Sequence, residues 1–158
     1  MRYPENGNIC VTKAGMAVGT TTTLTTANTQ LFSIDGKAYS KAAVSNEATP
    51  TTDARTLAAF TAIGVSKGGV FAICRDSGGN LKVVQGETVN LDAGNNLVEA
   101  PEFPTIPDTL TPIGYLVVKV GSTGSAWTFG TSNLSGPPTG VVFSLTDCFQ
   151  LPERPQLS

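Results

Sequence analysis

Pro112-Ile-Gly-Tyr-Leu-Val-Val-Lys-Val-Gly121 is the stretch whose reading decides the fold. Side chains alternate across a strand, so Ile113, Tyr115, Val117 and Lys119 share one face while Gly114, Leu116, Val118 and Val120 share the other. Both faces are mainly apolar, which describes a strand covered on both sides and not one lying over solvent. Gly121 to Ser125 supplies a turn, and Ala126-Trp-Thr-Phe129 then places Trp127 and Phe129 on one face of a return strand. This hairpin holds the only Trp of the chain, and it is expected to seed the core.

Outward from it, further strands are expected. Val70-Phe-Ala-Ile-Cys-Arg75, the turn Asp76-Ser-Gly-Gly-Asn80 and Leu81-Lys-Val-Val-Gln85 read as a hairpin, because Gly78 and Gly79 tolerate the positive φ of a tight turn. Gly86 to Leu91 adds a short strand. Leu31 to Ile34, with Asp35-Gly36 as turn and Lys37 to Val44 as return, forms another hairpin. Asp53 could cap a helix, but Thr56, Thr61 and Ile63 are weak helix formers, so a strand over Leu57 to Ile63 is favoured. Four prolines, Pro101, Pro104, Pro107 and Pro112, make 99–112 a rigid extended connection whose Phe103 and Ile106 tuck into the core edge. Residues 132–140 are loop, and Val141 to Thr146 is a last strand. Short strands with Gly/Pro turns and no repeat of 20–50 residues predict an all-β fold, a single β-sandwich or small barrel.

The ends read differently. Residues 1–30 combine turn signals with a Thr-rich run over 20–26, which favours extended chain. The division expected is therefore an N-terminal arm over 1–30, a body over 31–150 and a C-terminal tail over 151–158. An arm of about 25 extended residues would span up to about 80–90 Å and could lie along a neighbouring subunit.

At 158 residues the chain is expected to be one domain. Only 14% of residues are charged, the net charge is −2, and Lys and Arg are scattered from Arg2 to Arg154. That pattern argues against a nucleic-acid partner, which needs a clustered basic face. A surface poor in charge is weakly protected against association. No apolar run suits a membrane helix and the polar N-terminus carries no secretory signal, so no membrane partner is expected. Cys10, Cys74 and Cys148 are odd in number and widely spaced, and read as buried reduced thiols.

The chain has no histidine, which removes the commonest general base and most zinc sites. Cys74, inside an apolar strand, reads as core and not as a nucleophile. Asp76, Glu99, Glu102 and Asp108 are the carboxylates from which a glycosidase-like pair would be drawn. Asp76 suits a turn, however, and the others flank prolines. Asp92 with Asn90, Asn95 and Asn96 could offer oxygen ligands, but the spacing of a calcium loop is absent and turn chemistry explains the cluster. Gly121-Ser-Thr-Gly124 lacks the Lys and the helix start of a phosphate loop, and Asn133-Leu-Ser135 matches a glycosylation sequon by pattern alone. No enzyme activity, catalytic residue, metal or cofactor is expected.

Phe103-Pro-Thr-Ile-Pro-Asp108, Pro112-Ile-Gly-Tyr-Leu-Val-Val-Lys119, Trp127-Thr-Phe-Gly-Thr-Ser-Asn133 and Leu151-Pro-Glu-Arg-Pro155 together resemble structural proteins of tailed bacteriophages, with a looser echo at Ile34-Asp-Gly-Lys-Ala-Tyr39. The resemblance covers about two-thirds of the chain. It implies a virion protein assembled in the host cytoplasm, a capsid decoration or cement protein that bridges capsomers through its body and arms. The partners implied are the major capsid protein, or other virion proteins, and further copies of the chain. A tail, collar or head-fibre component is the alternative. A carbohydrate-binding module on the particle surface is a third, and it would need Trp127, Tyr115 or Tyr39 exposed on one face. Tyr115 and Trp127 are expected to be buried.

Overall fold

In the computed structural model, residues 7–156 are described. They form nine strands and no helix: β1 Met16–Val18, β2 Thr23–Thr26, β3 Gln30–Ile34, β4 Lys37–Lys41, β5 Val44–Ala48, β6 Lys67–Asp76, β7 Leu81–Asn90, β8 Leu110–Val120 and β9 Val141–Asp147. All pairings are antiparallel and fall into three sheets, ordered β1-β2-β5, β3-β4 and β7-β6-β8-β9. The fold is all-β, and no sheet closes into a barrel.

The four-stranded sheet organises the rest, with β6 and β8 at its centre. On one face Phe71, Ile73, Leu116, Val118 and Val120 pack against Leu24 of β2, Phe32 and Ile34 of β3, and the aromatic residues Phe60, Trp127 and Phe129. On the other face Val70, Ala72, Cys74, Val84, Tyr115 and Val117 pack under Phe103, Ile106, Leu110, Cys148 and Leu151. β8 is therefore covered on both sides, as its doubly apolar alternation predicts, and only Lys119 within it is partly exposed. Each large apolar side chain so buried contributes about 1.5–3 kcal/mol.

The alternation slips once. Pairing runs from Ile73↔Gly114 to Cys74↔Pro112, so Ile113 is an extra residue in β8. Such a bulge turns its residue to the opposite face. Ile113 accordingly lies with Leu116 and Val118, not with Tyr115 and Val117 as strict alternation has it. Beside the bulge, a Cβ on Gly114 would run into the Met16 side chain and the Thr146 carbonyl oxygen. Glycine is what lets β1 and β9 close on the central strand there.

Four expectations are corrected. Trp127 and Phe129 do not return along β8: β9 takes that place, and Trp127 instead forms a bridge with Ile63, with N–H to carbonyl distances of 3.0 and 2.8 Å. Two aromatic residues at period two can be buried by pairing or by diving beneath the sheet, and a Gly/Ser turn does not choose between these. The segment over Leu57 to Ile63 is no strand, holding only the bridges Thr52↔Ala59 and Ile63↔Trp127. Gly86 to Asn90 is no separate strand but the continuation of β7 past a register shift.

The fourth correction concerns the arms. The first six residues of the expected arm and the last two of the tail lie outside the described residues. From Gly7 onward the chain is built into the body: Cys10, Ala14 and Leu24 are core residues. The Asn8 side-chain amide donates to the Asp108 and Leu110 carbonyls at 2.7 and 3.0 Å. The Thr-rich run supplies the turn over 20–22 and then β2, whose residues pair with β1 and β5. At the other end Leu151 and Pro155 are buried, and the Gln156 N–H donates to the Tyr115 hydroxyl at 2.9 Å.

Candidate functional site

The carboxylates considered for chemistry are dispersed, and the two aspartates in turns are occupied. The Asp76 carboxylate accepts from the N–H groups of Gly78 and Asn80, both at 2.9 Å, and from the Asn80 side chain. Burial opposes its charge, but the Asn80 side chain and these N–H groups outweigh it and hold the carboxyl below its ordinary range. Asp92 repeats the device in the next turn. It accepts from Gly94 and Asn96, and the Asn96 N–H chiefly lowers its titration. Both aspartates lock the turns in which they sit. Asn95 is directed elsewhere, accepting from the Ser122 N–H at 3.1 Å, so the residues around Asp92 do not converge on a cation. Glu99 is exposed, and Glu102 forms an exposed ion pair with Arg154 at 3.2 Å. Among the described residues no three acidic or thiol groups gather to hold a metal ion.

The three cysteines are free and buried. Burial raises all three thiols, that of Cys148 to about 12 and that of Cys74 further still. A thiolate nucleophile is therefore suppressed at each of them. The aromatic residues divide in the same way. Trp127 is fully buried and donates its indole N–H to the Asn133 carbonyl at 3.1 Å, and Tyr115 packs edge-on to Phe103 with centroids 5.0 Å apart. Neither offers a face to a sugar. Tyr39 is half-buried, stacked on Phe32, and lines an open cleft of about 420 Å³ with Asp35, Lys37, Ser77, Asp108 and Thr109.

Sequence reading missed Arg75. Its side chain is fully buried on the face of β6 that carries Phe71 and Ile73. Nε donates to Gln30 Oε1 at 2.9 Å, while Nη1 reaches Glu47 Oε1 at 2.7 Å and the Gly79 carbonyl at 3.1 Å. One guanidinium thus joins β6 to β3 and β5, which belong to three different sheets. Its parity with Phe71 and Ile73 marked it as inward-facing, but Gln30 and Glu47 stand too far off in sequence to be named as partners.

What remains is surface. Residues 9–11 run beside β3: the Val11 N–H donates to the Leu31 carbonyl at 2.6 Å and the Ser33 N–H to the Ile9 carbonyl at 2.9 Å. The bridge Cys10↔Phe32 turns those two side chains inward and Ile9, Val11 and Leu31 outward. Phe149 lies alongside, its carbonyl accepting from the Cys10 N–H at 2.8 Å and its ring under Lys13 Nζ at 5.8 Å. Val11 is 59% exposed, Leu31 46% and Phe149 48%, so four apolar side chains meet solvent together. Comparison of the chain with protein-family models, with characterised proteins and with solved structures finds no match.

Proposed function

We propose that the protein is a structural component of a tailed-bacteriophage particle, a capsid decoration protein that binds the outside of the head shell. The observation that carries the proposal is the apolar surface of Ile9, Val11, Leu31 and Phe149 on an all-β body whose thiols are buried and whose Asp76 and Asp92 are held within their own turns. Adjoining exposed apolar side chains mark protein-binding surfaces. The resemblance of the segments over 103–155 to phage structural proteins supports the same class. The partner is the major capsid protein or a neighbouring virion protein, and no nucleic acid, membrane, metal or cofactor takes part. The mechanism is added contact area between capsomers, strengthened when several copies of one oligomer bind at once. The body carries this role, since the chain from Gly7 on is packed into it and does not reach away as an arm.

Copy number per virion tests the proposal, by gel densitometry against the major capsid protein. Hundreds of copies place the protein on the shell. A count of about six or twelve, the numbers of a closed ring, gives it instead to the tail, collar or head fibre. Absence from purified particles overturns the proposal. The variant Val11→Asp/Leu31→Asp should lower occupancy at the shell without unfolding the chain. A second role, binding of a surface glycan, has Tyr39 and its cleft in its favour, and loss of host adsorption with Tyr39→Ala at unchanged occupancy would establish it.

A further inference from the structure

The two edges of the four-stranded sheet are finished differently. At β7 the outward groups are capped by the chain itself: Val83 O accepts from the Ala54 N–H, the Gln85 N–H donates to Asp53 Oδ2, and the Glu87 N–H donates to the Glu102 carbonyl. At β9 the Cys148 N–H donates to the Ile113 carbonyl and the Gly121 N–H to the Gly140 carbonyl. In the continuous register of β8 with β9, residues 142, 144 and 146 therefore turn their backbone groups to β8, while 141, 143, 145 and 147 turn theirs away. The outward N–H and C=O groups of Phe143 and Leu145 meet no partner among the described residues. Natural edge strands are blunted with Lys, Pro or a bulge. From Val141 to Thr146 β9 has none of these, it pairs with β8 without a shift, and Val142 is 57% exposed.

We propose that β9 is a self-association edge, where two copies of the chain pair their β9 strands antiparallel about a two-fold axis into a continuous eight-stranded sheet. It deepens the oligomeric part of the function proposed above. β9 is complementary to itself. With Phe143 set opposite Leu145 of the second copy, and Leu145 opposite its Phe143, four backbone hydrogen bonds form between groups that have no partner among the described residues. Both side chains are only partly buried against the core, so the pairing also covers apolar surface. Val142 then faces Thr146, a β-branched pair suited to a sheet. Asp147, the one charge of β9, faces Val141 and not another charge, and its Oδ1 already accepts from the Met16 N–H at 3.0 Å.

The test is solution mass by light scattering, run together with amide hydrogen exchange across a wide range of protein concentration. The expected result is twice the chain mass, with protection at the Phe143 and Leu145 amides that rises with concentration. Val142→Lys, which places a charge on the edge at an exposed position, should return the mass to that of one chain and restore fast exchange at both amides, with the far-ultraviolet spectrum unchanged. A monomeric wild-type chain overturns the proposal. So does a dimer that survives Val142→Lys, or one in which the two amides exchange fast at every concentration. Should Val142→Lys fail to fold, the exchange measurement on the wild-type chain decides alone. Absence from virions together with a β9 dimer would sink the particle role and leave this inference standing.

Discussion

Glu47→Gln keeps the shape of the side chain and removes its charge. Arg75 would then sit fully buried with a neutral acceptor where Glu47 Oε1 now stands 2.7 Å from Nη1. Its remaining partners, Gln30 Oε1 and the Gly79 carbonyl, carry no charge, and Nη2 has no partner among the described residues. Removing one member of a buried ion pair costs about 3–5 kcal/mol because the other charge stays desolvated. The Glu47 side chain is 17% exposed, so water softens the loss and the lower end, about 3 kcal/mol, is expected. With a urea dependence of about 2 kcal/mol per molar, the unfolding midpoint should fall by about 1.5 M. Fluorescence is the assay, since the single Trp is fully buried and unfolding shifts its emission. A companion measurement separates pairing from packing. Arg75→Met alone orphans Gln30 and Glu47 and should cost at least as much, whereas Arg75→Met with Glu47→Leu should cost clearly less than the sum of the singles. A midpoint for Glu47→Gln within about 0.25 M of wild type, about 0.5 kcal/mol and no more than an ordinary surface change, would refute the clamp.

Gly114→Ala sets a methyl against the Thr146 carbonyl and the Met16 side chain, so a loss of at least about 1–3 kcal/mol is expected, and a melting temperature within a degree of wild type would contradict it. Deleting residues 1–25 removes β1, most of β2, and the core residues Cys10, Ala14 and Leu24. The product should show unfolded circular dichroism and Trp emission, and a folded truncation would mean that these residues are dispensable. The raised thiols fix a direction with pH. A group protonated more tightly in the folded state stabilises fully below its unfolded value and loses that contribution as pH rises through the folded one. For Cys148 the window runs from 9.0 to about 12, so stability should fall there by about 1.4 kcal/mol per pH unit for such a thiol. Cys148→Ala should flatten part of that slope against the same Lys and Tyr background, and an unchanged slope would show that Cys148 is not buried as described.

The parts of the fold legible in the sequence are those fixed by local chemistry. The hairpins at Asp35-Gly36 and at Asp76 to Asn80 depend on residues that adopt positive φ or accept N–H groups within the turn, and both turns formed where expected. The return expected over Lys37 to Val44, however, ends at Lys41, and Val44 opens β5 in another sheet. The double burial of β8 was visible in its alternation. What failed depends on partners distant in sequence. A Thr-rich run looks equally extended whether it hangs free or pairs, and nothing in 20–26 names β5. A bulge at Ile113 leaves no trace in a run of apolar residues, so its face was assigned by parity and came out reversed. By residue type Asp53 could cap a helix, though the sequence favours a strand over Leu57 to Ile63. Asp53 does accept from the Arg55 and Thr56 N–H groups, but its second oxygen binds the Gln85 N–H, tying a single turn to β7 where no helix follows. On the surface, Ile9, Val11, Leu31 and Phe149 come from three separate stretches and form one patch only after folding.

The order in which the strands of the central sheet meet bears on how the chain is made. Only β6 and β7 are joined by a tight turn, so this hairpin can form as soon as it is synthesised. β8, which covers the other side of β6, is separated from β7 by the whole of 91–109, and Trp127 must later reach back to Ile63. Pairing over such separations is slow because the loop must close before any contact rewards it. A growing chain therefore carries Val70-Phe-Ala-Ile-Cys74 with one edge unpaired until β8 is synthesised. Such an open apolar edge is a hazard of aggregation during synthesis that the stability of the finished fold does not remove.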